Sequence, residues 1–230
     1  ALRQVVDVLT LSATPIPRTL YLAMTGARDM SLLQTPPRER LPTETRVVRE
    51  SDGAIRAAIL QELARDGQVF FLYNRVLTLP LMRARLERLV PEARIGVAHG
   101  QMPARELAEA MRAFEAGETD LLLCTTLVES GLDIPRANTI LIDRADRFGI
   151  ADLYQLRGRV GRSSRKGYAW LLLPDHGNID DDARRRIGAL RTHSGTGAGF
   201  ALALRDLEIR GSGAILGAAQ SGHIAAIGFG

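Results

Sequence analysis

Apolar positions along this chain alternate between two patterns: short continuous runs, and stretches in which they recur every three or four residues. TRVVRE (45–50), QVFFLYN (68–74), ARIGVAH (93–99), TDLLLCTT (119–126), NTILIDR (138–144) and GYAWLLLP (167–174) are of strand length and rich in β-branched, aromatic and leucine side chains. Between them, DGAIRAAILQELARDG (52–67), LPLMRARLERLV (79–90) and PARELAEAMRAFEAG (103–117) have the spacing of amphipathic helices. Gly67 closes the first of these, Pro80 fits the first turn of the second, and Pro103 takes the first position of the third. Strands apolar on both sides, alternating with helices, predict an α/β fold: a parallel sheet with helices on both faces. The shorter segment ADLYQLRGR (151–159) falls between the last two strands.

The flanks differ from this core. VVDVLTLS (5–12) reads as a buried strand stopped by the prolines of ATPIP, and RTLYLAMTG (18–26) as a short helix ending near Gly26. TPPRERLPTE is dense in proline and charge with no apolar period, so residues 34–45 read as an interdomain linker. From about residue 176, DDDARRRIGALRTHS and GAGFALALRDLEIRG predict a helical hairpin, and GSGAILGAAQSGHI a glycine-rich loop. The expected organisation is 1–33, the end of a preceding domain; 34–45, a linker; 46–175, the main α/β domain; and 176–230, the hairpin and loop. The first residues enter directly into an apolar run and the last stop inside one, so the chain reads as a piece of something larger.

Composition narrows the classes. Of 230 residues 46% are apolar, enough for a real core, and no run reaches the roughly 18 apolar residues of a membrane span. The single cysteine, Cys124, lies inside DLLLCTT, which suits a reducing, cytoplasmic setting. Net charge is +4, compatible with an anionic partner without requiring one. The four histidines and the cysteine lack metal-ligand spacing, and no nucleophile elbow is present.

Three polar stretches are placed where a parallel sheet binds ligands, at the carboxyl ends of strands. Ser12, Ala13 and Thr14 follow the first strand; taken alone they read first as an ordinary turn with hydroxyl capping. TTLVESGLDIP (125–135) follows the DLLLC run; its hydroxyls and amides suit a phosphate, Gly131 permits close backbone approach, and Asp133 offers a carboxylate. QLRGRVGRS (155–163) places Arg159 and Arg162 three apart among glycines, a geometry for phosphate recognition by guanidinium groups. There is no G-x-x-x-x-G-K-[ST] loop and no acidic box, so a nucleotide held by these arginines needs its phosphate cradle from another domain.

Taken in order, LTLSATPIPRTL, QVFFLYNRV, HGQM, CTTLVESGLDIP and QLRGRVGRS resemble the later motifs of superfamily 2 helicases and translocases. SATPIPRTL and the tail GFALALRDLEIRGSGAILGAAQSGHIAAIGF narrow the resemblance to the subgroup of RecG branch-migration helicases and transcription-repair coupling factors. IDRADRFGIADLYQLRGRVGR and QSGHIAAIGF are closer to the coupling factors. The resemblance implies a RecA-like second motor domain followed by a translocation motif, with the end of the first motor domain attached. It implies ATP with magnesium as cofactor, and double-stranded DNA as partner. RNA polymerase and excision-repair proteins would be engaged through regions outside this chain, and no membrane.

Residue by residue, the resemblance places Gln155, Arg159 and Arg162 at the γ-phosphate, and Gly131 and Asp133 on the ATP side. Ser12, Ala13, Thr14, Arg186, Arg210 and Gln220 fall at coupling positions, and Thr125, His99, Gly100 and Gln101 towards the DNA backbone. Ala218 and Ala219 stand where the family usually carries acidic residues. Arg184 to Arg186 read equally well as a solvated face. A RecG-like branch-migrating helicase and a non-catalytic nucleic-acid-binding module are the alternatives to a coupling-factor motor.

Overall fold

In the computed structural model the described residues are 31, 41–125, 134–161, 165–192 and 199–210. Six parallel strands form one sheet: β1 (Glu44–Arg49), β2 (Gln68–Leu72), β3 (Ile95–Ala98), β4 (Leu121–Cys124), β5 (Ala137–Ile142) and β6 (Tyr168–Leu173), in the order β1-β6-β5-β2-β4-β3. Helices α1 (Asp52–Leu63), α2 (Leu79–Leu89), α3 (Ala104–Glu115), α4 (Ile150–Arg157), α5 (Asp181–Thr192) and α6 (Gly199–Arg210) connect and flank it. The parallel sheet and its alternating helices are those the apolar pattern predicts. The strand and helix expected over 5–26 lie outside the described residues.

Alternation along each strand sorts the core into two layers. Val69, Phe71, Leu121, Leu123, Leu141 and Leu172 pack with α1 and α2 on one face. Phe70, Leu72, Leu122, Ile140, Ile142 and Leu171 pack with α3, α4, α5 and α6 on the other. Each such side chain, removed from water, contributes about 1.5–3 kcal/mol. The hairpin α5–α6 shares this second layer: Ile187, Ala189, Leu190 and Leu202 are buried in the same cluster as Leu153 of α4 and Leu171 of β6. The segment 151–159, short and ambiguous in sequence, is helical through Arg157, and the Gly149 amide donates to the Asp152 carboxylate at its start.

Local chemistry sets the helix ends. Ser51 caps α1 by accepting from the Ala54 amide at 3.2 Å, and Asp180 caps α5 by accepting from the Ala183 amide at 2.5 Å. Pro80 lies in the first turn of α2 as expected, whereas Pro103 precedes α3 and Ala104 begins it. Gly67 differs more instructively. The left-handed residue after α1 is Asp66 (φ 56°), and Gly67 is needed for room, since a Cβ there would stand 1.7 Å from Glu62 Oε1. Glu62 is fully buried and accepts from Arg65 at 2.5 Å and from the Thr139 hydroxyl. An unpaired buried carboxylate is costly, so these partners hold Glu62 where it crowds Gly67.

No helix among the described residues is long and apolar enough to cross a membrane. Replacing Gly67 with Ala is expected to push the Glu62 carboxylate off its partners and lower stability by about 2 kcal/mol or more, read as a drop in the denaturation midpoint. Burial pushes the Cys124 thiol up to about 12, so a disulfide reagent at pH 8 should leave it unmodified until the protein is unfolded.

Candidate nucleotide and nucleic-acid interface

Because all six strands run the same way, their carboxyl ends form one rim, and strand order decides which loops meet there. The loops after β3 and β4 are neighbours. The Met102 amide closes on the His99 carbonyl at 3.1 Å, leaving Gly100 and Gln101 exposed at the tip of the turn. Thr125 is buried, and its amide reaches the Ala98 carbonyl at 3.4 Å. The fold thus brings together His99, Gly100, Gln101 and Thr125, the four residues assigned to the DNA side by resemblance. A Cβ on Gly100 would meet nothing within 4 Å, so that glycine is not required for space.

The loops after β2 and β5 sit beside them and carry charge. Asp143 is 3% exposed and pairs with Arg75 at 2.7 Å. Its burial raises the carboxyl pKa against the opposing pull of Arg75. Arg85 bridges Glu50 at 2.5 Å and Asp52 at 2.6 Å. Arg144, in the left-handed region at φ 48°, grips Asp146 with both Nε and Nη2 and holds that carboxyl below its usual range. Arg144, Asp146, Arg147, Asn178, Asp180 and Arg186 line a cleft of about 540 Å³ on this side of the rim. None of these charged residues except Arg186 stands out in the sequence; the run of acids and bases in IDRADR was the available signal.

The QLRGRVGR segment departs from the expected placement on the carboxyl rim. Helix α4 starts at the rim and runs back along the sheet, so Val160 and Gly161 arrive at the amino edge. There the Thr43 hydroxyl donates to the Val160 carbonyl, and Gly161 (φ 70°) packs against Gly167, the residue before β6. A Cβ on Gly161 would lie 3.1 Å from Gly167 Cα and 2.9 Å from the Thr43 hydroxyl oxygen. The close approach that this glycine serves is therefore to the protein's own backbone. Gly158 has an ordinary helical φ of −68°.

The arginines of this segment divide into two kinds. Arg157 is 4% exposed, donates to the Leu190 carbonyl at 3.0 Å and stacks over the Tyr154 ring at 4.9 Å. It fastens α4 to the end of α5. Arg159, two residues on, is half-buried and has no side-chain hydrogen bond or ion pair among the described residues. Gln155 is exposed on α4 and engaged in a contact of its own. Arg162, Gly131, Asp133, Ser12, Ala13, Thr14 and Gln220 lie outside the described residues, and Arg210 is described only as the last residue of α6.

In the hairpin, Arg186 is half-buried and donates to the Asp146 backbone carbonyl at 3.1 Å. Arg184 and Arg185 instead point to solvent and pair loosely with Asp181 and Asp182, at 3.4 and 3.8 Å. The solvated-face reading holds for those two and fails for Arg186. Among the described residues no three His, Cys, Asp or Glu side chains converge into a metal site.

Comparison with known proteins places the fold and the family. Residues 54–164 match the helicase conserved C-terminal domain family. The transcription-repair-coupling factor of Escherichia coli K12 is 54% identical over 230 residues, all of this chain and 20% of that protein. That of Myxococcus xanthus is 52% identical over 227 residues, 99% of this chain and 19% of that protein. Among solved structures, RecG bound to a three-way DNA junction superposes with a TM-score of 0.73 at 34% identity, covering 94% of this chain and 29% of that one. Yeast Dbp5 bound to RNA and ADP BeF3, at 19% identity and a TM-score of 0.53 over 80% of this chain and 48% of that one, shares the fold. The chain spans about a fifth of the length of the curated relatives it matches. With the RecA-like sheet and this degree of identity, the chain belongs to the transcription-repair-coupling factor family and carries its helicase C-terminal domain.

Proposed function

We propose that this chain is the second motor domain and translocation hairpin of an ATP-driven double-stranded DNA translocase that displaces stalled RNA polymerase and recruits excision repair. The observation that carries this reading is the double attachment of the hairpin to α4. Arg186 holds the turn before α4 through Asp146, and Arg157 holds the end of α4 against Leu190. The helix that leads into Arg159 is thereby tied to the hairpin at both ends. A small displacement of α4 passes to α5 because packed elements move as units.

On this reading ATP lies between this domain and a preceding motor domain that supplies the phosphate cradle and the residues for magnesium. Bound there, the nucleotide with its metal supplies the phosphoryl chemistry. Arg159, half-buried and unpaired among the described residues, suits a γ-phosphate, and Arg162 and Gln155 would serve the same phosphate. Gly131 and Asp133 would face the nucleotide, and Ser12, Ala13 and Thr14 would relay domain closure. DNA backbone would lie across the carboxyl rim at His99, Gly100, Gln101 and Thr125. Arg210, at the end of α6, and Gln220 would convert closure into movement along the duplex. Separate edges of one sheet would then serve phosphate sensing and DNA grip, with α4 running between them. A RecG-like branch-migrating activity is the second reading, favoured by the 34% identity to RecG over 94% of the chain.

Two experiments test this. The isolated 230-residue chain should hydrolyse no ATP, whereas the full-length protein should do so with duplex stimulation. Arg159→Ala in the full-length protein should then cost about a thousandfold in the stimulated rate. Hydrolysis by the isolated chain would sink the two-domain scheme. In the second, Arg157→Leu and Arg186→Ala are placed in the full-length protein, and ATPase is compared with displacement of a triplex-forming strand. ATPase should persist while displacement falls about tenfold; equal loss of both would mean these contacts only support the fold.

A further inference from the structure

The turn after β2 occupies the middle of the carboxyl rim, between Thr125 of the β4 loop and Asp143 of the β5 loop. It is tightly built. The Tyr73 amide donates to the Cys124 carbonyl at 2.7 Å, Arg75 N to the Tyr73 carbonyl at 2.9 Å, and Thr78 N to the Arg75 carbonyl at 3.2 Å. The Tyr73 and Thr78 hydroxyls meet at 2.8 Å, and the Arg75 guanidinium lies over the Tyr73 ring at 4.6 Å. Its one ion pair, from Nη2 to Asp143 Oδ2, leaves the other guanidinium N–H groups without a protein acceptor among the described residues, and the side chain is 46% exposed.

Asp143 is the unusual member. Its amide donates to the Leu72 carbonyl at 2.9 Å, its carboxyl is 3% exposed, and Oδ1 is buried with no hydrogen-bond partner. Of the neighbouring charges, Asp52 is taken by Arg85 and Asp146 by Arg144, while Glu50, paired with Arg85, also lies close enough to Asp143 to add to the upward push on its carboxyl pKa. Among the described residues the one cation this buried carboxylate pairs with is the Arg75 guanidinium above it. An ion pair with one end buried holds its exposed partner in a single geometry, as two surface side chains would not. The negative end is inside and the positive end is at the surface, so the pair turns its guanidinium towards whatever crosses the rim.

We propose that Asp143 is a positioning residue: through its ion pair it fixes Arg75, in the centre of the carboxyl rim, as a ligand for a DNA backbone phosphate. This rests on the reading of the rim as the duplex-binding side. A pre-set planar guanidinium with unused donors is suited to a phosphate, and fixing it beforehand removes the ordering cost from binding.

The full-length protein is assayed for the duplex concentration giving half-maximal ATPase, for the maximal rate, and for the salt dependence of duplex binding. Arg75→Ala should lower the log–log salt slope by about one. It should also raise the half-maximal duplex concentration about fivefold, with a smaller change in maximal rate. Asp143→Asn should raise it comparably, and the double variant should be no worse than either single one. An unchanged slope and half-maximal concentration in Arg75→Ala would overturn the proposal, and that variant decides the matter even where Asp143→Asn fails to fold. Additive losses, or a lower maximal rate at an unchanged half-maximal concentration, would assign Asp143 to the fold alone. A wild-type protein without duplex stimulation would overturn the DNA reading itself, a result distinct from any of these.

Discussion

A parallel sheet covered on both faces leaves its strands no polar surface, and the rest of this molecule follows from that constraint. The central strands spend most of their side chains on one or the other apolar layer, so the chemistry moves to the strand ends. The six carboxyl ends gather His99, Thr125, Arg75, Asp143, Arg144 and Asp146 along one rim. The amino ends receive the return of α4 at Val160 and Gly161. The element that runs from one edge of the sheet to the other is α4.

Buried charge gives this frame its specificity. Glu62, Asp143 and Arg157 are each almost wholly enclosed, and each has a definite partner: Thr139 and Arg65, Arg75, and the Leu190 carbonyl. Removing one partner would leave a charge without compensation, so such contacts tolerate few alternative packings. Arg157 fastens the helix that leads to Arg159 against the hairpin, and Asp143 anchors a turn on the rim.

The same arginine-rich stretch shows how differently neighbouring residues are used. Arg157, Gly158 and Arg159 are consecutive, yet the first is a core residue, the second an ordinary helical end, and the third half-buried and unpaired among the described residues. The hairpin repeats the point, with Arg184 and Arg185 in solvent and Arg186 on the Asp146 carbonyl. A helix turns by about 100° per residue, and only its packing decides which of three adjacent arginines faces inward.

The strands, the three amphipathic helices, the hairpin helices and the motif order were legible in the sequence, because periodicity and composition are local properties. So were His99 to Gln101 and Thr125, as residues at strand ends. Strand order was not, since it depends on which apolar faces match across the whole domain. The partners of Val160, Arg157 and Asp143 were hidden for the same reason: Val160 meets Thr43, Arg157 meets Leu190, and Asp143 meets Arg75, hydrogen bonds spanning 117, 33 and 68 residues. Sequence by itself determined the element types, the two-faced apolar sheet and the family. Tertiary structure alone decided which glycine makes room for backbone and which for a carboxylate, which arginine is buried, and at which edge of the sheet each loop arrives. Those outcomes rest on excluded volume and on charge compensation between distant segments, which no local pattern encodes.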